Sequence, residues 1–269
     1  MSGRTFSSYD AVLQRDGAAR LRRGAVGLGI VAAILLSSWA TGLFDAARFA
    51  DSWPAIRQLS IDMFPPDFGR WRGWLRPILD TVAMSVAGTA LAVALSLPLA
   101  LLSAQNTTPN ALAYRCARLI LNVLRSVPEL IMGIIFVAMV GFGALPGVLA
   151  LGLHSIGMVG KFFAESIEHV DPKPIEAARA AGATPFQVIW RAVLPQVMPQ
   201  LADTTIYRWE YNFRASTVLG AVGAGGIGFE LIAALRVLEY AQVSAILVCI
   251  LACVTVVDGL GAALRRTLQ

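Results

Sequence analysis

Charged residues are scarce in this sequence. Only 14% of its 269 residues are Asp, Glu, Lys or Arg, against about a quarter in an ordinary soluble domain. With 57% hydrophobic residues, that shortage excludes a water-soluble core of this size. Histidine and cysteine are nearly missing too, at two and three residues. Cys249 and Cys253 stand one helical turn apart inside an apolar run and Cys116 sits in a short connection, so they form no disulfide framework and read as small core residues. No metal site is expected, and scattered carboxylates give no nucleophile and base, so no catalytic residue is expected either. A Gly-x-x-x-x-Gly-Lys-[Ser/Thr] loop is also lacking, which excludes nucleotide hydrolysis by that route.

What is present is a set of long apolar runs. Uncharged stretches that reach or approach the roughly 18 residues needed to cross the hydrocarbon core occupy 24–44, 81–112, 130–160 and 241–257. The pattern predicts spans at roughly 24–44, 78–104, 119–142, 145–163, 196–220 and 241–263. The expected fold class is therefore an all-α polytopic membrane protein with about six transmembrane helices. The apolar run at 24–44 exceeds the roughly 7–15 residues of a signal-peptide core, so a retained anchor is expected.

The net charge of +5 comes mostly from Arg near the predicted span ends, which suits a membrane surface and not nucleic acid. With the N-terminus inside, thirteen Lys and Arg fall on inner segments, among them Arg4, Arg15, Arg20, Arg22 and Arg23, and six on outer ones. Both termini are thus expected in the cytoplasm. The organisation that follows is a cytoplasmic segment at 1–23, an anchor at 24–44, an extracytoplasmic interfacial loop at 45–76, a core at 77–264 and a cytoplasmic tail at 265–269. In the outer loop Trp53, Ile56, Leu59 and Met63 recur at helical spacing and Trp71 and Trp74 follow. That suits either a short interfacial helix with aromatic anchors or a docking surface.

The inner loop at 171–195 reads DPKPIEAARAAGATPFQVIWRAVLP. Asp171 can cap a helix that has Pro172 in its first turn. Gly182 is the residue best able to take a left-handed stop, and Thr184 with Gln187 forms a capping box for a second helix. The small side chains of Ala177, Ala178, Ala180, Ala181 and Gly182 let another protein approach the first helix closely, and Glu176 and Arg179 can pair with each other or with it.

This loop resembles the signature loop of ABC importer permeases: Glu-Ala-Ala, three residues, Gly, nine residues, Ile-x-Leu-Pro. Glu176, Ala177, Ala178, Gly182, Leu194 and Pro195 match, while Ala192 replaces the Ile. RSVPEL at 125–130, LALGLHSIGMVGKFFAESIE at 149–168 and MFPPDF at 63–68 are similar to the phosphonate type of these permeases. The resemblance implies a type I importer permease fold whose coupling helix seats in a cytoplasmic ATPase. It further implies two ATPase copies using ATP and Mg, an extracytoplasmic phosphonate-binding protein, and a second permease copy, as a homodimer in the membrane lipid. The implied cargo is phosphonate, phosphite or phosphate. No cofactor is expected in this chain itself.

Ionisable residues inside a bilayer need a partner or a cavity. Arg208, Glu210, Asn212, Arg214, Ser216 and Thr217 on the fifth span, with His154, are candidate lining residues, since the planar fork of Arg suits a tetrahedral oxyanion. Glu210 and Arg214 stand four apart in the order that also allows a simple intrahelical pair. Arg125 and Glu129, with Pro128 bending the helix between them, are expected to pair structurally, His154 to be a hydrogen-bonded core residue, and Asp258 to meet solvent or a helix end. Gly220, Gly223, Gly225, Gly226 and Gly228 permit either a re-entrant turn acting as gate or hinge, or close packing of small residues. Two other classes remain: an ion-coupled secondary transporter, disfavoured because no internal repeat is visible, and a permease for another small solute such as an amino acid.

Overall fold

The structure, a computed structural model, describes secondary structure over residues 4–268 and side chains over 22–267. The side chains of Arg4, Arg15 and Arg20, and Gln269 at the end of the expected tail, lie outside the described residues.

Two compact units divide the chain, Met1–Ile61 and Asp62–Gln269. The first contains α1 (Arg4–Ala40) and most of α2 (Ala46–Asp62). Helix α1 runs without a break through the expected boundary at 23/24, and its apolar, span-competent part is Arg22–Ala40. Helix α2 buries none of its residues, and Trp53 and Ile56 are exposed on it.

The second unit is all helical: α3 (Trp71–Ser103), α4 (Ala111–Ser126), α5 (Glu129–Val140), α6 (Ala144–Glu168), α7 (Pro172–Ala180), α8 (Pro185–Val188), α9 (Leu194–Leu219), α10 (Gly226–Arg236) and α11 (Tyr240–Leu268). Helix α3 begins inside the expected outer loop. Trp74, expected as an anchor at the interface, is instead a core residue packed with Ile227, Val243 and Ile246. At the other end α11 continues through Arg265 and Arg266, so the expected tail at 265–269 is helix as far as Leu268.

Among the described residues, four helices are long and apolar enough to cross a membrane, or up to six if each of two bent pairs counts as one span. The expected third span is one of those pairs: α4 and α5 meet at 87°. Pro128 lacks the N–H that would continue the helix, and the residue before a proline is pushed to extended backbone, as Val127 is at ψ 121°. This is a break and not the bend expected.

Helix α6 is the centre of the unit, and small residues bring its neighbours close. Gly88 of α3 sits on Leu151, Gly152 of α6 faces Leu91, and Gly157 and Gly160 face Arg125 and Leu121 of α4. At one end of the bundle Asn106 donates to the Ile167 carbonyl, and Glu168 takes both the Gln105 N–H and Arg118 at 2.9 Å. Helices α7 and α8 emerge at this same end. The opposite end is closed where the Asp67 N–H donates to Ala241 O and the Ser244 hydroxyl to Met63 O.

Candidate functional site

Local rules build the inner loop largely as expected. Asp171 accepts the Lys173 N–H at 3.0 Å and caps α7, Gly182 takes φ +80° after its last turn, and Thr184 and Gln187 form the reciprocal capping box of α8. Ile175 alone of α7 is buried, joining Val188, Val193, Val197, Phe163 and Ile167 in one cluster. Glu176, Ala177, Arg179 and Gly182 are exposed, and Ala178 is partly so. A Cβ at Gly182 would meet nothing within 4 Å, so glycine there serves the turn and leaves open space in front of it.

The remaining motif residues have a different task. Leu194 is buried in the same cluster, and Pro195 lies in the first turn of α9. Between α8 and α9 the residues Ile189–Val193 form a π-turn, a widening often found at functional sites. Ala192, the departure from the motif, is a buried member of this turn. Its carbonyl accepts from Gln196 at 2.6 Å, and Gln196 also takes the Asp171 N–H at 3.1 Å. One glutamine thus ties the cap of α7 to the start of α9, and the helical run is continuous from Pro185 to Val222.

Further along α9 lies a buried polar chain. Arg208 is 1% exposed and the largest fully buried side chain. Its Nε donates to Ser155 Oγ at 2.8 Å, Ser155 donates to Asn212 Oδ1 at 3.0 Å, Asn212 donates to Thr89 Oγ1 at 2.9 Å, and Thr89 donates to the Ser85 carbonyl at 2.7 Å. Each group hands its proton donation onward, so α9, α6 and α3 are tied by a continuous hydrogen-bond chain of the kind low dielectric strengthens. The guanidinium also lies 4.3 Å from the centre of the Tyr211 ring, and the Tyr211 hydroxyl reaches Glu129 Oε1 at 3.4 Å. His154 is hydrogen-bonded as expected, its Nδ1 3.1 Å from the Val127 carbonyl that the α4/α5 break leaves free.

The structure therefore gathers Arg208, Asn212 and His154, and adds four residues that sequence reasoning did not assign to the site: Thr89, Ser155, Tyr211 and Glu129 as their partner. Glu129 bonds Tyr211 and not Arg125, from which the break turns it away. Ser155 stands next to His154 in the GLHSIG run and was the one available signal.

Glu210 and Arg214 face another way and do not pair with each other. Glu210 meets Arg265 of α11 at 2.8 Å and Arg214 meets Asp258 at 2.9 Å. The expected intrahelical pair gives way because α11 runs antiparallel along that face and supplies both partners; Asp258 stays about half exposed, so it meets solvent as expected while also pairing with Arg214. Gly261 leaves the room: a Cβ there would collide with the Glu210 carboxylate. Ser216 and Thr217 direct their hydroxyls back to Phe213 O and Arg214 O of their own helix.

The glycine cluster is both turn and close contact. Gly223, Gly225 and Gly226 have φ of +99°, +77° and +72°, and α9 and α10 meet there at 43°. Gly220 and Gly228 instead let α10 cross against the α9 backbone, where a Cβ on Gly220 would lie 2.6 Å from Gly228 C. Thr81 fastens this turn to α3 by accepting the Ile227 N–H at 2.9 Å. Among the described residues, no group of three or more His, Cys, Asp or Glu is placed to hold a metal ion.

Residues 96–269 match the family model described as binding-protein-dependent transport system inner membrane component. The chain is similar to the phosphite transport system permease protein PtxC of Stutzerimonas stutzeri, 64% identical over 87% of this chain and 85% of that protein. It is also similar to the putative phosphite transport system permease protein HtxC of the same organism, 38% identical over 95% and 90% of the two chains. Among solved structures, an inward-facing MetNI methionine ABC transporter matches with a TM-score of 0.64 at 23% identity, covering 73% of this chain and 96% of that one, which establishes the type I importer permease fold. With a family model covering everything from the last turns of α3 to the end of α11 and relatives this similar across most of its length, the chain belongs to the family of binding-protein-dependent transport system inner membrane components.

Proposed function

We propose that this protein is the permease subunit of an ABC importer that moves a phosphorus oxyanion (phosphite, phosphonate or phosphate) across the cytoplasmic membrane. The observation that carries the cargo is the 64% identity to a permease named for phosphite transport. The mechanical part rests on the exposed α7 and on the unbroken helical run that leads from α8 to Arg208.

In this mechanism a cytoplasmic ATPase seats on α7 at Glu176, Ala177, Ala178 and Gly182, while Leu194 and Pro195 root that seat in the bundle. Two such ATPases, using ATP and Mg, close on nucleotide and push α7. The Asp171–Gln196 tie and the π-turn pass the push to α9, which carries Arg208. The glycine turn at 220–228 is the hinge over which α10 moves. An extracytoplasmic binding protein delivers the anion, and a second copy of this chain completes the path. Both termini are cytoplasmic in this arrangement.

The experiment is ATP-driven uptake into proteoliposomes containing the permease with its co-purified ATPase and binding protein, comparing methylphosphonate, phosphite, phosphate and methionine. Uptake of a phosphorus oxyanion that stops without ATP supports the proposal. Uptake without any ATPase, or of methionine alone, refutes it.

A further inference from the structure

Two polar atoms beside Tyr211 have no partner. Arg208 Nη2 and Glu129 Oε2 are both buried and unbonded, although the rest of each side chain is held: Arg208 by Ser155, Met158 and the Tyr211 ring, Glu129 by the Tyr211 hydroxyl. Buried polar atoms are rarely left so, and each such case calls for an explanation. These two are complementary, because a guanidinium N–H can only donate and a carboxylate oxygen can only accept. The neighbouring Ser155, Asn212 and Thr89 all find partners, while Trp209 Nε1 on the same helix is a lone donor also left unbonded.

A ligand satisfying both atoms must offer one oxygen that accepts and one hydroxyl that donates. A singly protonated phosphorus oxyanion has both, as P–O⁻ and P–OH. Sulfate near neutral pH has no proton to give, and a carboxylate facing it would meet only like charge. Taking the cargo to be a phosphorus oxyanion, as proposed above, we infer that Arg208, over the face of the Tyr211 ring, and Glu129, at its hydroxyl, form a selectivity contact. It holds an oxyanion that carries a P–OH and rejects one that is fully ionised. Arg208 anchors the charge, Glu129 reads the proton, and Tyr211 fixes the carboxylate's aim.

The test is equilibrium binding of radiolabelled phosphite, at mildly acid pH, to the permease–ATPase complex in lipid discs. The binding protein is left out so that its own selectivity does not enter. In the wild type, sulfate should compete about a hundredfold less well than phosphite, the upper range for one hydrogen bond to a charged group. Glu129→Gln, isosteric but able to donate, should bring sulfate to within about tenfold of phosphite. Arg208→Gln should weaken both anions together by about tenfold or more and leave their ratio unchanged. Should Glu129→Gln fail to assemble, Tyr211→Phe keeps both charges and should relax selectivity in the same direction. An unchanged sulfate-to-phosphite ratio in both Glu129→Gln and Tyr211→Phe overturns the inference while leaving the cargo assignment standing. So does wild-type binding in an Arg208→Gln, Glu129→Gln double variant, because the two charges then merely neutralise each other. A wild-type complex that binds no phosphite yet takes up another solute overturns both.

Discussion

Gly220 offers a way to separate close contact from backbone strain at the α9/α10 turn. Its backbone is ordinary right-handed helix, φ −56° and ψ −33°, so alanine is conformationally welcome there and gains about 0.5–1 kcal/mol over glycine. The new methyl, however, would stand 2.6 Å from Gly228 C and from Phe229 N. Both are backbone atoms that cannot swing aside, so α10 must retreat by about 0.8 Å to restore ordinary van der Waals distance. Overpacking of this kind costs about 1–3 kcal/mol, so the contact outweighs the propensity and the net loss is about 1–2 kcal/mol. Gly225 gives the converse case: φ is +77°, yet the nearest atom to a Cβ is 3.6 Å away. Gly225→Ala therefore suffers left-handed strain alone, about 1–2 kcal/mol, and Gly225→Asn much less. Inactivation temperature and initial uptake rate, measured on the same proteoliposomes, distinguish the two. If Gly220→Ala is as heat-resistant as the wild type and transports normally, the α9/α10 crossing does not depend on the missing methyl and the hinge argument fails.

The inner loop and the ion pairs give further tests. Glu176→Lys should leave thermal stability within about 0.5 kcal/mol of the wild type, as exposed substitutions do, yet lower ATPase co-purification and uptake; normal uptake would remove the coupling role. Gly182→Asn should be nearly silent, whereas Gly182→Val should cost about 1–2 kcal/mol through its left-handed φ and impair coupling, read as ATP hydrolysed per anion moved. Arg265→Ala leaves the buried Glu210 without its partner and should destabilise by about 1–3 kcal/mol. Adding Glu210→Gln should recover part of that in a double-mutant cycle on heat inactivation. Arg214→Ala breaks a half-exposed pair and should cost no more than about 1 kcal/mol. A loss of uptake far beyond its loss of stability would return Arg214 to the anion's path.

The inner loop was legible in the sequence because its determinants are local: a capping aspartate, a left-handed glycine and a reciprocal Thr–Gln cap act within four residues of themselves. The α4/α5 break was half legible. Pro128 is visible, but hydropathy averages across it, so two short helices at a right angle score like one long span. The charges on α9 were misjudged for the opposite reason. The four-residue spacing of Glu210 and Arg214 is a local rule, and it lost to Arg265 and Asp258, which come from α11 and are brought alongside only by tertiary packing. The same holds for Thr89 and Ser155, which look like ordinary small residues of an apolar helix until Asn212 and Arg208 are placed against them.

The π-turn at Ile189–Val193 fixes a rotational phase. Each residue of an α-helix advances its face by about 100°, and the wider π-turn advances less, so if these five residues tightened into plain α-helix with none lost, everything downstream would swivel by about a quarter revolution relative to α8. Arg208 and Asn212 would leave α6 and α3, and the side carrying Glu210 would begin to swing in their place. The alignment between the cytoplasmic handle and the arginine deep in the bundle therefore depends on a wide turn that takes up a single surplus residue, a feature to which composition and hydropathy are blind.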